Sequence, residues 1–72
     1  MQNYNSYLNS LSAFYNDLAN WGYYKNISSD EKNNYVEKLK NSARILQNEI
    51  KNLPPDMVRE QVVEHIEKAL AL

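Results

Sequence analysis

His65 is the residue best suited to acid–base chemistry in this chain, because an imidazole can exchange a proton near neutral pH. It is the single histidine among 72 residues, and the chain has no cysteine. A carboxylate-bridged metal pair in a helical bundle needs a glutamate three residues before a histidine, but Val62 stands there. We therefore expect His65 to be a partly buried or solvated helical side chain rather than a catalytic or metal-binding one.

Nucleophilic catalysis and phosphate binding lack the residues that they need. An activated serine needs a base and a third orienting group, and phosphate-binding loops need several glycines. The chain has one glycine, and none of its serines lies in a nucleophile-elbow motif. Glu60, Glu64 and Glu67 recur on one side of a helical pattern, and we interpret them as a solvated face. The sequence thus predicts no enzyme, no cofactor and no metal site.

The charge balance argues against nucleic acid and membranes as partners. Eight basic residues are offset by nine acidic ones, with a formal net charge of −1, so no basic field attracts a phosphate backbone. We find neither a long apolar run nor the basic and apolar regions of a secretion signal. We expect a cytoplasmic protein. Its many asparagines and tyrosines favour an AT-rich source such as a phage, a plasmid or a low-GC bacterium.

Three segments with helical periodicity account for nearly the whole chain, at about residues 3–21, 29–52 and 55–71. Ser28 and Glu31 form a capping box for the second helix, and two consecutive prolines separate it from the third. Short connections favour antiparallel neighbours, so the sequence predicts one all-α domain, a small antiparallel three-helix bundle. The alternative is a helical hairpin that completes its core by dimerisation or by exchanging a helix.

A group of aromatic residues surrounds the single glycine, in the stretch Trp-Gly-Tyr-Tyr. Gly22 is placed to end the first helix, since a glycine just after a helix readily adopts a positive φ. Such a cap would bring Tyr23 against Leu18. We therefore predict that Trp21 and Tyr23 close one end of the bundle, while Tyr24 is the aromatic residue that remains exposed.

The polar side of the first helix consists of asparagine and serine, with Asp17 as its single charge. Tyrosine, asparagine and serine together are typical of protein-binding surfaces, because they combine contact area with adaptable hydrogen bonds. The apolar seam of the second helix consists of Val36, Leu39, Ala43, Leu46, Ile50 and Leu53. Leu39 and Leu46 lie at its centre, as Ile66 does in the third helix, and we predict all three to be buried. Ile45 lies almost opposite this seam, where a single exposed aliphatic residue is the simpler interpretation. The predicted partner-binding residues are Asn9, Asn16, Asn20, Tyr24, Asn41, Ile45, Asn48 and Asn52.

These observations predict a non-enzymatic helical module for protein–protein interaction, such as an adaptor, an inhibitor or a regulatory subunit. Its expected partner is another protein, or a second copy of the chain in a homodimer. The alternative is a dimeric helical accessory protein associated with nucleic acid, whose binding would weaken steeply as salt is added.

Overall fold

The computed structural model describes the backbone of residues 2–27 and 29–72 and the side chains of residues 4–27 and 29–72. Helix α1 spans Gln2–Tyr24, α2 spans Ser29–Lys51 and α3 spans Glu60–Leu70, with a 3₁₀ turn at Pro55–Met57 before α3. Helix α2 packs against both α1 and α3. The predicted all-α three-helix bundle is thereby confirmed. The proposed cap at Ser28 lies outside the described residues.

The core lies where the three apolar stripes meet. Phe14 of α1, Leu39 and Leu46 of α2 and Ile66 of α3 are its largest fully buried side chains. These include the seam positions that the sequence predicts to be most buried. Lys40 of α2 donates a hydrogen bond from its Nζ to the main-chain oxygen of Leu72 at 3.1 Å. Val62 and Ala69 of α3 are buried in the same cluster as Ile66, so the third helix packs on the core of its own chain.

Helix α1 does not end at Gly22, which corrects the cap predicted from the sequence. It continues to Tyr24, and the Lys25 amide still donates to the Trp21 carbonyl at 2.9 Å. No glycine in the described residues has a positive φ. Each further helical residue adds a backbone hydrogen bond, which outweighs the modest cost of one glycine inside a helix.

The burial of the two tyrosines after Gly22 is the reverse of the prediction. Trp21 packs against the core as expected, but Tyr23 is 67% exposed and does not close the bundle. Tyr24 is half-buried instead, because its ring stacks on that of Tyr35 in α2, with centroids 4.6 Å apart and planes 3° apart. A helical Gly22 directs Tyr23 outwards and brings Tyr24 towards α2.

Helix α3 begins later than the sequence suggests. Val58 and Arg59 have extended backbones after the 3₁₀ turn, and the Arg59 carbonyl accepts the first hydrogen bond of the helix, from Val62 at 3.1 Å. The sequence predicts a start at residue 55, because a proline is tolerated in the first turn of a helix and Asp56 could cap it, but residues 55–57 form only a 3₁₀ turn and the chain is extended after it. Helix α3 therefore has 11 residues, whereas α1 has 23.

Candidate functional site

One shallow pocket between α1 and α2 brings two of the predicted partner-binding residues together. Its volume is about 200 Å³, and it is lined by Asn9, Ser10 and Ala13 of α1 and by Ser42 and Ile45 of α2. We call these five residues the Ile45 surface. Ile45 is 55% exposed, as its position opposite the seam predicts. An aliphatic side chain thus lies among short polar ones on an accessible face.

The Ile45 surface is held in place by core packing on α2 and by a hydrogen bond between α1 and α2. Ala43 and Leu46, on either side of Ile45 in the sequence, are fully buried in the core. The Ser42 hydroxyl donates a hydrogen bond to the Asp17 carboxylate, which ties α2 to α1 beside the pocket. Asp17 is the single charged side chain of α1 and does not line the pocket, so the α1 residues of the Ile45 surface are uncharged.

The other predicted asparagines follow two lines that flank this surface. Steps of four, three and four residues place Asn41, Ile45, Asn48 and Asn52 along one side of α2, and Asn9, Ala13, Asn16 and Asn20 along one side of α1. All are exposed except Asn20, which is half-buried.

Two of these amides on α2 have local partners. Asn41 accepts a hydrogen bond from Arg44 at 3.0 Å, and Asn52 donates to the Asn48 carbonyl at 3.4 Å. The side chains of Asn9 and Asn16 make no hydrogen bond to the part of the chain that the structure describes. These two amides are therefore available to an external partner.

Tyr24 does not belong to the Ile45 surface. Its ring is held between Tyr35, at 4.6 Å, and Tyr23, at 4.8 Å with an edge-on geometry. Tyr35 precedes Ile45 by ten residues on α2, which corresponds to about 15 Å along the helix. The neighbouring Tyr35 phenol, followed by desolvation, raises the pKa of Tyr24 above its ordinary value. The tyrosines thus form a separate cluster at one end of the α1–α2 pair.

A second surface lies on the opposite flank of α1, between α1 and α3, and the sequence did not reveal it. We call it the α1–α3 groove. Its first half, with a volume of about 350 Å³, is lined by Tyr4, Tyr7, Leu8, Leu11 and Tyr15 of α1 and by Met57, Arg59, Gln61 and Val62. Its second half, with a volume of about 270 Å³, is lined by Leu18, Trp21, His65, Lys68, Ala69 and Leu72.

A hydrogen bond between α1 and α3 separates the two halves of the groove. The Tyr15 hydroxyl and the His65 Nδ1 are 2.7 Å apart, and the two rings meet edge to face at 5.5 Å. With neutral His65, the tyrosine donates and Nδ1 accepts. Burial, with a smaller effect of Tyr7, raises the pKa of Tyr15, which favours the protonated phenol. His65 thus has a structural partner.

Three apolar side chains in the first half of the groove are exposed. Tyr4 is 38% exposed, Leu8 41% and Met57 42%, although the first two lie in the apolar sector of α1. The indole Nε1 of Trp21 is buried and has no hydrogen-bond partner in the described structure. The helical periodicity of α1 places Tyr4 and Leu8 in its apolar sector, but the structure leaves both of them exposed.

Residues 2–27 and 29–72 contain no cluster of metal ligands and no helix that could span a membrane. No group of three or more His, Asp or Glu side chains there could hold a metal ion, and no helix is both long and apolar enough to cross a bilayer. Comparison of the chain with models of protein families, with curated proteins and with solved structures finds no match.

Proposed function

We propose that this chain is a non-enzymatic protein-binding module, an adaptor, inhibitor or regulatory subunit that contacts its partner through the Ile45 surface. The observation that carries the proposal is that Asn9 and Ile45, on different helices, line the same accessible pocket. A partner that covers this pocket would bury an aliphatic centre and meet a rim of amides. Protein interfaces commonly combine an apolar centre with a polar rim.

Covering Ile45 is expected to contribute a moderate amount of binding free energy. Complete burial of an aliphatic side chain contributes about 1.5–3 kcal/mol, and 55% of this side chain is still exposed. Its burial would therefore contribute about 1 kcal/mol or more, which corresponds to roughly a tenfold change in affinity. The asparagines add specificity, because a mismatched partner would leave their amides unpaired.

Two arrangements use the same surface: a complex with a different protein and a homodimer. In a homodimer with two-fold symmetry, the Ile45 surface of each copy would contact that of the other. We place either complex in the cytoplasm, where a chain without disulfides loses no stability to the reducing conditions.

The test compares two isoleucines that receive the same substitution. Ile45→Asp places a carboxylate at the centre of the proposed contact, whereas Ile27→Asp introduces the same charge at a residue that is 61% exposed and does not line the Ile45 surface. Both variants should stay folded by circular dichroism. Each is then compared with the wild type by sedimentation velocity, for self-association, and by quantitative capture of proteins from cells of the source organism.

We expect Ile45→Asp to weaken either the dimer or the captured complex by about tenfold or more. Ile27→Asp should leave both unchanged. If wild type and Ile45→Asp are equally monomeric and recover the same proteins in equal amounts, Ile45 is only an exposed side chain and the proposal is wrong.

A further inference from the structure

We propose that the α1–α3 groove is a second docking site, which receives one amphipathic α-helix of a partner protein that carries acidic residues on its flank. The groove and the Ile45 surface share no residue and lie on opposite flanks of α1. The inference therefore goes beyond the proposed function. It depends on the geometry of α3 and on the charges around the groove.

The first half of the groove is open at Tyr4 and Leu8, because α3 is too short to cover the whole of α1. A rise of about 1.5 Å per residue makes α3, with 11 residues, about 17 Å long and α1, with 23, about 35 Å long. The apolar row of α1 that lines the groove advances in steps of four, three, four and three residues, at Tyr4, Leu8, Leu11, Tyr15 and Leu18. This spacing is that of a helix–helix seam, so a helix is the element that fits it.

The charged side chains that line the groove are all positive. Arg59 is the single charged residue that lines the first half, and Lys68 is the single cation that lines the second. No acidic residue lines either half, and the Glu64 side chain is exposed outside both. Lys25 adds a further positive charge beyond the second half of the groove, with its Nζ 4.6 Å from the centre of the Trp21 ring.

These cations are available to a partner. In the described part of the chain, neither Arg59 nor Lys68 forms an ion pair or a side-chain hydrogen bond. The single charge of α1, Asp17, faces α2 and accepts from Ser42 on the opposite flank. The charged side chains that line the groove are therefore basic, on a chain whose net charge is −1, and the exposed Glu60, Glu64 and Glu67 of α3 lie outside the lining. Charge complementarity selects an acidic helix over a basic or neutral one.

The distance between Arg59 and Lys68 determines the spacing of the acidic residues that we expect on the partner helix. Arg59 immediately precedes α3 and Lys68 lies nine residues later, so about 13 Å separate them along the helix axis. A partner helix lying along the groove would match them with acidic residues two to three turns apart. Its apolar side chains would fill the spaces around Leu8 and Trp21, on either side of the Tyr15–His65 hydrogen bond.

The test uses a displayed library of 16-residue amphipathic helical peptides in which the flanking positions vary freely. Selection on the wild-type chain should enrich peptides with apolar residues at heptad spacing and with Asp or Glu at flanking positions. The affinity of an enriched peptide is then measured by fluorescence anisotropy against two double variants with the same change in net charge. Arg59→Glu with Lys68→Glu alters the groove, whereas Arg44→Glu with Lys51→Glu alters exposed positions on α2.

We expect the groove variant to bind the peptide about tenfold or more weakly, since two rim ion pairs become repulsive, and the α2 variant to bind it as the wild type does. A peptide with its acidic residues changed to lysine should regain affinity for the groove variant. Melting curves establish that each variant is folded, and Leu8→Glu, at a half-open position, provides a second way to repel the acidic peptide.

Three results would overturn the inference. These are a selection that enriches no acidic helix, a peptide whose affinity is the same for both double variants, and a wild-type dimer that Leu8→Glu dissociates, which would make a second copy the occupant. Ile45→Asp should retain the affinity for the peptide. The failure of peptide binding and the failure of capture at the Ile45 surface are therefore separate results.

Discussion

Replacing Gly22 by alanine should make the protein more stable, because Gly22 lies inside α1 rather than at its end. A Cβ built on Gly22 meets no atom within 4 Å, and its φ is not positive. Alanine is therefore accommodated without strain and reduces the conformational freedom of the unfolded chain. From helix propensity, the expected gain is about 1 kcal/mol, at an exposed position with no packing change to offset it.

The gain should be visible as a higher melting temperature. For a domain of this size, about 1 kcal/mol corresponds to a rise of about 4–8 °C, measured by thermal denaturation followed by circular dichroism at 222 nm. Ala19→Gly, at an exposed position one turn earlier in α1, is the reciprocal control and should lower the melting temperature by a similar amount. A lower melting temperature for Gly22→Ala would show that Gly22 is a left-handed cap, and the present description of the end of α1 would be wrong.

Two further substitutions test the core and the contact between α1 and α3. Leu46→Asp places a carboxylate at a fully buried position and should unfold the chain, since even large-to-small core changes cost about 2–5 kcal/mol; a folded variant by circular dichroism would contradict the assignment of the helical faces. Tyr15→Phe removes the hydrogen bond to His65 and should cost about 1 kcal/mol in urea denaturation at pH 8. The pKa of Tyr15 is raised in the folded state, so its contribution is fully present below about pH 10 and is lost as the pH rises further. Above that pH the wild type should lose more stability than Tyr15→Phe, and equal losses would mean that Tyr15 does not contribute.

The parts of the fold that depend on repeated local signals could be predicted from the sequence. Leu39, Leu46 and Ile66 recur at helical spacing with many apolar neighbours, and all three are buried as expected. Ile45 is exposed for the same reason, since the pattern places it opposite the seam. The hydrophobic periodicity depends on all residues of a helix, so one atypical residue does not change which face is predicted to be buried.

Single residues at helix ends were harder to predict. Gly22 resembles a C-terminal cap, but the stacking of Tyr24 on Tyr35 is a contact between residues 11 positions apart that a local pattern does not contain. At the start of α3, the sequence offers an apolar Val58 in register with the helix, whereas the backbone there is extended. In both cases the helix boundary depends on the geometry of the adjoining connection, which follows α1 and precedes α3.

The structure differs most from the sequence prediction in the length of α3. A helix from residue 55 to 71 would cover more of α1, whereas the observed Glu60–Leu70 helix leaves Tyr4 and Leu8 partly uncovered. These two residues of the apolar sector of α1 therefore lie on the surface. The same shortening leaves Arg59 in the connection, beside the apolar side chains that it uncovers. An apolar groove with an unpaired cation at its edge thus follows directly from where α3 begins.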